Sequence, residues 1–170
     1  SYNRPGFGIV PKALVWGVPG VGIKAAFTIF AAGAPNVLAE LRLPVSGATL
    51  RDGSFGLRLL TAFAVSASLN CIFAPVFMTL HKVTDIHIAA TGGNLGGLFT
   101  KPDMGGILQN IDWRRMWGVV FKLTIPLFWI PMHTITFLLP PQFQVLFAAL
   151  LGVALGVILS LASMKKSPEA

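Results

Sequence analysis

One cysteine, one tyrosine and six acidic residues in 170 positions leave little material for several kinds of chemistry. A single thiol, Cys71, set in an apolar stretch, excludes both a disulfide framework and a cysteine-built metal site. Six carboxylates give few partners for paired acid–base work, and no Ser/His/Asp set stands in a nucleophile context. An enzyme is therefore not expected, and neither is a cofactor. Charged residues make up 11% of the chain, against roughly 25% in ordinary soluble domains. That is too little polar material to coat a water-exposed surface. The opening Ser-Tyr-Asn-Arg-Pro lacks the charged-then-apolar order of a signal peptide, so none is expected. Internal repeats, heptad runs and low-complexity tails are missing too, which excludes solenoids and coiled coils.

What is present is apolar. Hydrophobic residues reach 54%, and the mean hydropathy is +0.74. Residues 123–164 form a run of 42 without one Asp, Glu, Lys or Arg, interrupted only by Pro140 and Pro141. A membrane-crossing helix takes about 20 apolar residues, so this run reads as two spans. Two adjacent prolines remove two backbone donors and cannot continue a helix, which makes them the turn of a hairpin. The whole chain, 1–170, reads as one all-α domain, an integral membrane bundle of about four transmembrane helices. The predicted spans are 13–34, 59–80, 117–139 and 143–164. Pro75 is expected to kink the second. Between the second and third lies a glycine-rich loop, 81–112, with Gly92, Gly93, Gly96, Gly97, Gly105 and Gly106. Tryptophans 16, 113, 117 and 129 fall mostly near span ends, where amphipathic rings favour the headgroup level.

The net charge of +7 does not point to nucleic acid, because the cations are scattered at segment ends. Their distribution instead carries topology. With four spans, Arg4, Lys12, Lys82, Lys101, Arg114, Arg115, Lys165 and Lys166 share one side, while Arg42, Arg51 and Arg58 share the other. The positive-inside rule then puts both termini and the 81–112 loop on the cytoplasmic or matrix-like side. The glycines, Pro19 and Lys24 of the first segment leave a re-entrant course open for it. The expected membrane is the bacterial cytoplasmic (inner) membrane, with an organellar inner membrane as the alternative. Expected partners are membrane lipids, further copies of the chain, or other membrane subunits.

Polar residues inside apolar spans are the candidate functional groups. Lys24 and Lys122 lie deep in the first and third spans, and a cation at the bilayer centre costs about 2.5–3.5 kcal/mol on insertion scales. Each either snorkels to the interface or lines a polar pathway that attracts anions. Asn70 and His133 are candidates for the same pathway, with Ser66 and Ser68 as contributors; the plainer role for all four is hydrogen bonding between helices. His81 and Asp85 are four apart, on one helical face, and form a candidate interfacial charge pair. His87 points elsewhere if the helix continues. Ala148, Gly152, Gly156 and Ser160 recur every four residues, a small-residue face suited to close helix packing, within the chain or against a partner. The Gly92–Gly97 stretch lacks the Gly-Lys-Ser/Thr that a phosphate-cradling loop requires.

The last third carries a further pattern. Asp112-Trp113, then Phe128-Trp129-Ile130-Pro131-Met132-His133-Thr134-Ile135-Thr136-Phe137, the Pro140-Pro141 turn and the closing Leu159-Ser160 resemble the peroxisomal and mitochondrial inner-membrane family of small four-span proteins. Ala74-Pro75 with His81 and Asp85 is similar to that family's second-span pattern. In this alignment His133 stands where the family has Gln and Thr136 where it has Asn. The family's Arg after the proline turn is absent, with Gln142 and Gln144 nearby. The tract Phe73-Ala-Pro-Val-Phe-Met-Thr-Leu-His, with Arg51 and Arg58, is also similar to bacterial membrane proteins of unassigned function. The family resemblance implies a pore-like or solute-permeation role. The expected function is thus a pore or carrier for small solutes, anions among them; the alternative is a non-catalytic accessory or structural subunit of a larger membrane complex.

Overall fold

Prolines and glycines punctuate the chain, and helices fill most of the length between them. A computed structural model describes the backbone of residues 9–164 and the side chains of residues 20–97 and 99–157. Among the described residues the chain is all-α, without a strand. The first helix, α1 (Ile9–Glu40), ends as Arg42 takes up a left-handed conformation at φ 66°. The amides of Arg42 and Leu43 reach back to the carbonyls of Ala39 and Leu38. This is a Schellman closure, in which glycine is the usual occupant of the left-handed position. A one-turn helix, α2 (Thr49–Asp52), leads into α3 (Phe55–Ala90), a continuous helix of 36 residues. It widens to i→i+5 hydrogen bonding over Leu69–Phe73, directly before Pro75. The proline expected to kink the span thus coincides with a π-type turn, and the helix continues through it. A second Schellman closure ends α3, this time with Gly92 at φ 77°.

The 81–112 segment is therefore not the loop it was expected to be. Its first ten residues are the end of α3, because no helix breaker precedes Gly92. A 3₁₀ turn follows at Gly96–Phe99, then α4 (Met104–Gln109), which Asp103 caps by accepting from the Gly106 amide at 3.1 Å. Asp112 caps α5 (Trp113–Leu138) through the Arg115 amide at 2.9 Å, which starts this span four residues earlier than predicted. Most of α5, Met116–Trp129, is wound with i→i+5 bonding; Thr124 Oγ1, for instance, donates to the Val119 carbonyl five residues back. Pro140 breaks the chain, and Pro141 opens α6 (Pro141–Met164), a first-turn position where a missing N–H costs nothing.

Three stretches are long and apolar enough to cross a bilayer: Gly20–Glu40 within α1, Phe55–Ala90 and Trp113–Leu138. The described apolar part of α6, Pro141–Val157, is shorter. These are the helices of a membrane protein. Arg4, Lys12, Trp16, Lys165 and Lys166, and the side chains of 13–19 in the first predicted span, lie outside what the structure describes.

The first half of α3 is the centre of the bundle and packs on α1 and on the Ile130–Leu138 end of α5. The core there joins Ala26, Phe27, Ala62, Val65, Leu69, Phe137 and Ala148. A second, smaller cluster joins Val83, Ile107, Ile111 and Met116, fastening α4 to the far half of α3. Many large apolar side chains point outward, among them Ile29, Phe63, Ile72, Val76, Leu127, Leu146 and Val153. In water such a surface would aggregate; against lipid tails it is at no disadvantage. For the same reason apolar burial does not drive these helices together in a membrane, where packing and interhelical hydrogen bonds must do so.

Candidate functional site

A cluster of buried helix-to-helix hydrogen bonds lies on a seam between α3 and α5. Ser66 and Asn70 are one turn apart on α3 and face the start of the Ile130–Leu138 turns. Ser66 Oγ donates to the Ile130 carbonyl at 2.7 Å, an oxygen that also accepts from Thr134 Oγ1 at 2.7 Å. The Asn70 amide nitrogen donates to the Ser66 carbonyl at 2.8 Å and stands 3.0 Å from His133 Nδ1. The amide oxygen is 3.3 Å from the same ring nitrogen, so Asn70 can complete either imidazole tautomer. Asn70 is 1% exposed and Ser66 0%. Thr61 and Thr136, equally buried, turn their hydroxyls back to their own helices, at Leu57 O and Met132 O. Aromatic rings close the site: Phe27 meets His133 edge-on at 5.4 Å, and Trp129 lies against it at 5.1 Å. The Trp129 indole N–H is buried without an acceptor among the described residues.

Of the four candidate pathway residues, the structure brings together two. Asn70 and His133 form the seam, whereas Lys24 and Lys122 are exposed on their helices. Lys122 lies 6.0 Å over the Trp117 ring, an arrangement that the i→i+5 winding of α5 sets up. Lys24 opens instead onto a cleft of about 950 Å³ between α1, the α2 region and the α5–α6 turn. Two more cations line that cleft. Arg58 reaches the Leu50 carbonyl at 3.0 Å and the Leu138 carbonyl at 3.4 Å, tying the end of α5 to the start of α3. A cation at carbonyls left free at a helix C-terminus is favourably placed. Arg51 pairs with Asp52 at 3.0 Å in full solvent, a bond that holds its guanidinium above the usual range.

His81 and Asp85 share a face of α3, with the carboxylate close enough to act electrostatically on the ring. His87 does point elsewhere: its Nε2 is 3.0 Å from the Gly97 carbonyl, pinning the glycine loop to α3. Of the small-residue face, Ala148 is buried in the main core. Gly152 and Gly156 have open space where a side chain would begin, and the Ser160 side chain lies outside the described residues. What the sequence did not reveal is the cleft. Arg51 and Arg58 read as topology charges and as part of a resemblance, Trp129 read as an interfacial ring, and Phe27 carried no reading of its own.

No family model, no curated protein and no solved structure matches this chain.

Proposed function

We propose that the protein is a non-catalytic membrane subunit, a four-helix bundle that works by lateral association rather than by conducting solute through its own interior. The observation that supports this reading is the filled centre of the bundle. The α3–α5 seam is occupied by mutually bonded Ser66, Asn70 and His133, walled by Phe27, Trp129 and Phe137. Lys24 and Lys122, which a central pathway would need, face outward. The apolar outer faces of α3, α5 and α6, and the open stretch at Gly152 and Gly156, offer surface to lipid, to further copies or to other subunits.

The test is the native mass of the gently extracted protein, with every co-purifying chain identified. Fixed stoichiometry with other membrane proteins is the expected result; a lone monomer at every protein concentration refutes the subunit reading.

A second reading, a carrier of small anions, has the Lys24–Arg51–Arg58 cleft in its favour. It predicts anion flux in liposomes that falls in a Lys24→Met variant, and flux that does not change with this substitution removes it. The family resemblance, with its permeation role, belongs with this second reading.

A further inference from the structure

We propose that the cleft lined by Lys24, Arg51 and Arg58 is a binding site for an anionic phospholipid, with the phosphate held by the cations and acyl chain against the apolar wall. Charge is the first observation. The end of the bundle that carries the α2 region and the α5–α6 turn has three cations, Arg42, Arg51 and Arg58, and two of them line this one cleft with Lys24. No carboxylate is among its lining residues; Asp52 stands beside it, paired with Arg51, which leaves the group with a net positive charge.

Shape and lining are the second. At about 950 Å³ the cleft is at the upper end of the range usual for ligand sites. Apart from the cations its walls are mostly apolar: Phe27, Ala31, Leu50, Phe137, Leu139 and Val145 among them. A small hydrated anion would leave that wall uncovered, whereas an amphiphile covers wall and cations together. Position is the third. Arg58 bonds the final turn of α5 at the boundary of the span, the level of lipid headgroups. From Ala32 the cleft follows α1 to Lys24, eight residues or roughly 12 Å along the helix. An acyl chain lies along this wall on Phe27 and Ala31, while the long Lys24 side chain reaches toward the headgroup level. Lys24 has no ion-pair partner among the described residues, and a lipid phosphate would supply one to a cation otherwise facing hydrocarbon. Basic pockets between spanning helices are a recognised way to hold anionic headgroups.

The test is native mass spectrometry of the delipidated full chain, titrated with phosphatidylglycerol or with phosphatidylcholine of identical acyl chains. Phosphatidylglycerol should be retained roughly 25-fold better, about fivefold for each of Lys24 and Arg51, and the Lys24→Gln/Arg51→Gln variant should lose that preference. Arg58 is left in place because it also holds the helix ends. The charge-keeping variant Lys24→Arg/Arg51→Lys should retain the preference, which separates loss of charge from loss of fold, and Lys101→Gln at the other end should not alter it. Equal retention of the two lipids overturns the proposal. So does a preference that survives in the double glutamine variant, or complete displacement of the lipid by millimolar inorganic phosphate, which would make the site one for a free anion.

Discussion

Replacing Asn70 by leucine removes the amide from the seam while conserving most of its volume. The direct loss is the bond to His133. Double-mutant cycles put an interhelical side-chain bond in a membrane at about 0.6 kcal/mol on average, with a maximum near 1.7. The larger effect is on what is left. His133 Nδ1 has no other partner among the described residues, and an orphaned buried polar group costs about 1–3 kcal/mol. The sum centres on about 2.6 kcal/mol, or roughly an eightyfold shift in the unfolding equilibrium. His133→Leu should cost somewhat less, since the Asn70 amide nitrogen still donates to the Ser66 carbonyl and only its contact with the ring is lost. The double variant should cost clearly less than the two singles added, because an apolar pair leaves nothing unsatisfied. The measurement is reversible unfolding in mixed micelles for the wild type, both singles and the double, read as a thermodynamic cycle. Strictly additive costs would refute the pairing, and a stabilising single variant would refute the reasoning altogether.

Four further outcomes follow from the turns and caps. Arg58→Gln should destabilise the bundle by about 2 kcal/mol, the contribution of hydrogen bonds from a charged donor, and the loss should appear in the same micelle assay; no loss would mean the Leu50 and Leu138 carbonyls find other donors. Gly92→Ala forces an L side chain into the left-handed region and should cost about 1–2 kcal/mol. Gly97→Ala drives a Cβ into the Thr91 side chain, so the 91–103 segment should become more open to limited proteolysis while the spans stay protected. Arg42→Gly is the opposite case: it relieves a non-glycine residue at φ 66°, and a gain of up to about 1 kcal/mol is expected, with a marked loss arguing that the arginine side chain is itself needed.

The fold class was legible because charge is expensive in hydrocarbon: wherever Asp, Glu, Lys and Arg vanish for some 20 residues, a spanning helix is the only economical structure. The Pro140–Pro141 turn was legible for an equally local reason, the loss of two amide donors. The extent of α3 was not, because glycine content made 81–112 read as a loop although its first glycine is Gly92, at the helix end. The site was half legible. Asn70 and His133 stood out as polar residues in apolar spans, yet their meeting across 63 positions depends on how each helix is rotated. In α5 that rotation is set by i→i+5 winding, which puts Lys122 beside Trp117 five residues earlier, a neighbour that an α-helical period of 3.6 would turn away. Lys24 joins Arg51 and Arg58 only because the segment after α1 folds back onto it, with Leu50 packed on the main core.

The length of α3 has a mechanical consequence. Thirty-six residues make a rod of roughly 54 Å, against a hydrocarbon layer of about 30 Å. With Arg58 at one boundary, the rod leaves the other near His81, and the rest of α3 stands clear of the lipid with α4 clamped to it through Val83 and Ile107. The small platform outside the membrane and the Asn70 seat inside it are thus parts of one stiff shaft. No loop separates the platform from the seam along α3. The widened turn at Leu69–Phe73, where Asn70 itself sits, is the place where the shaft can yield.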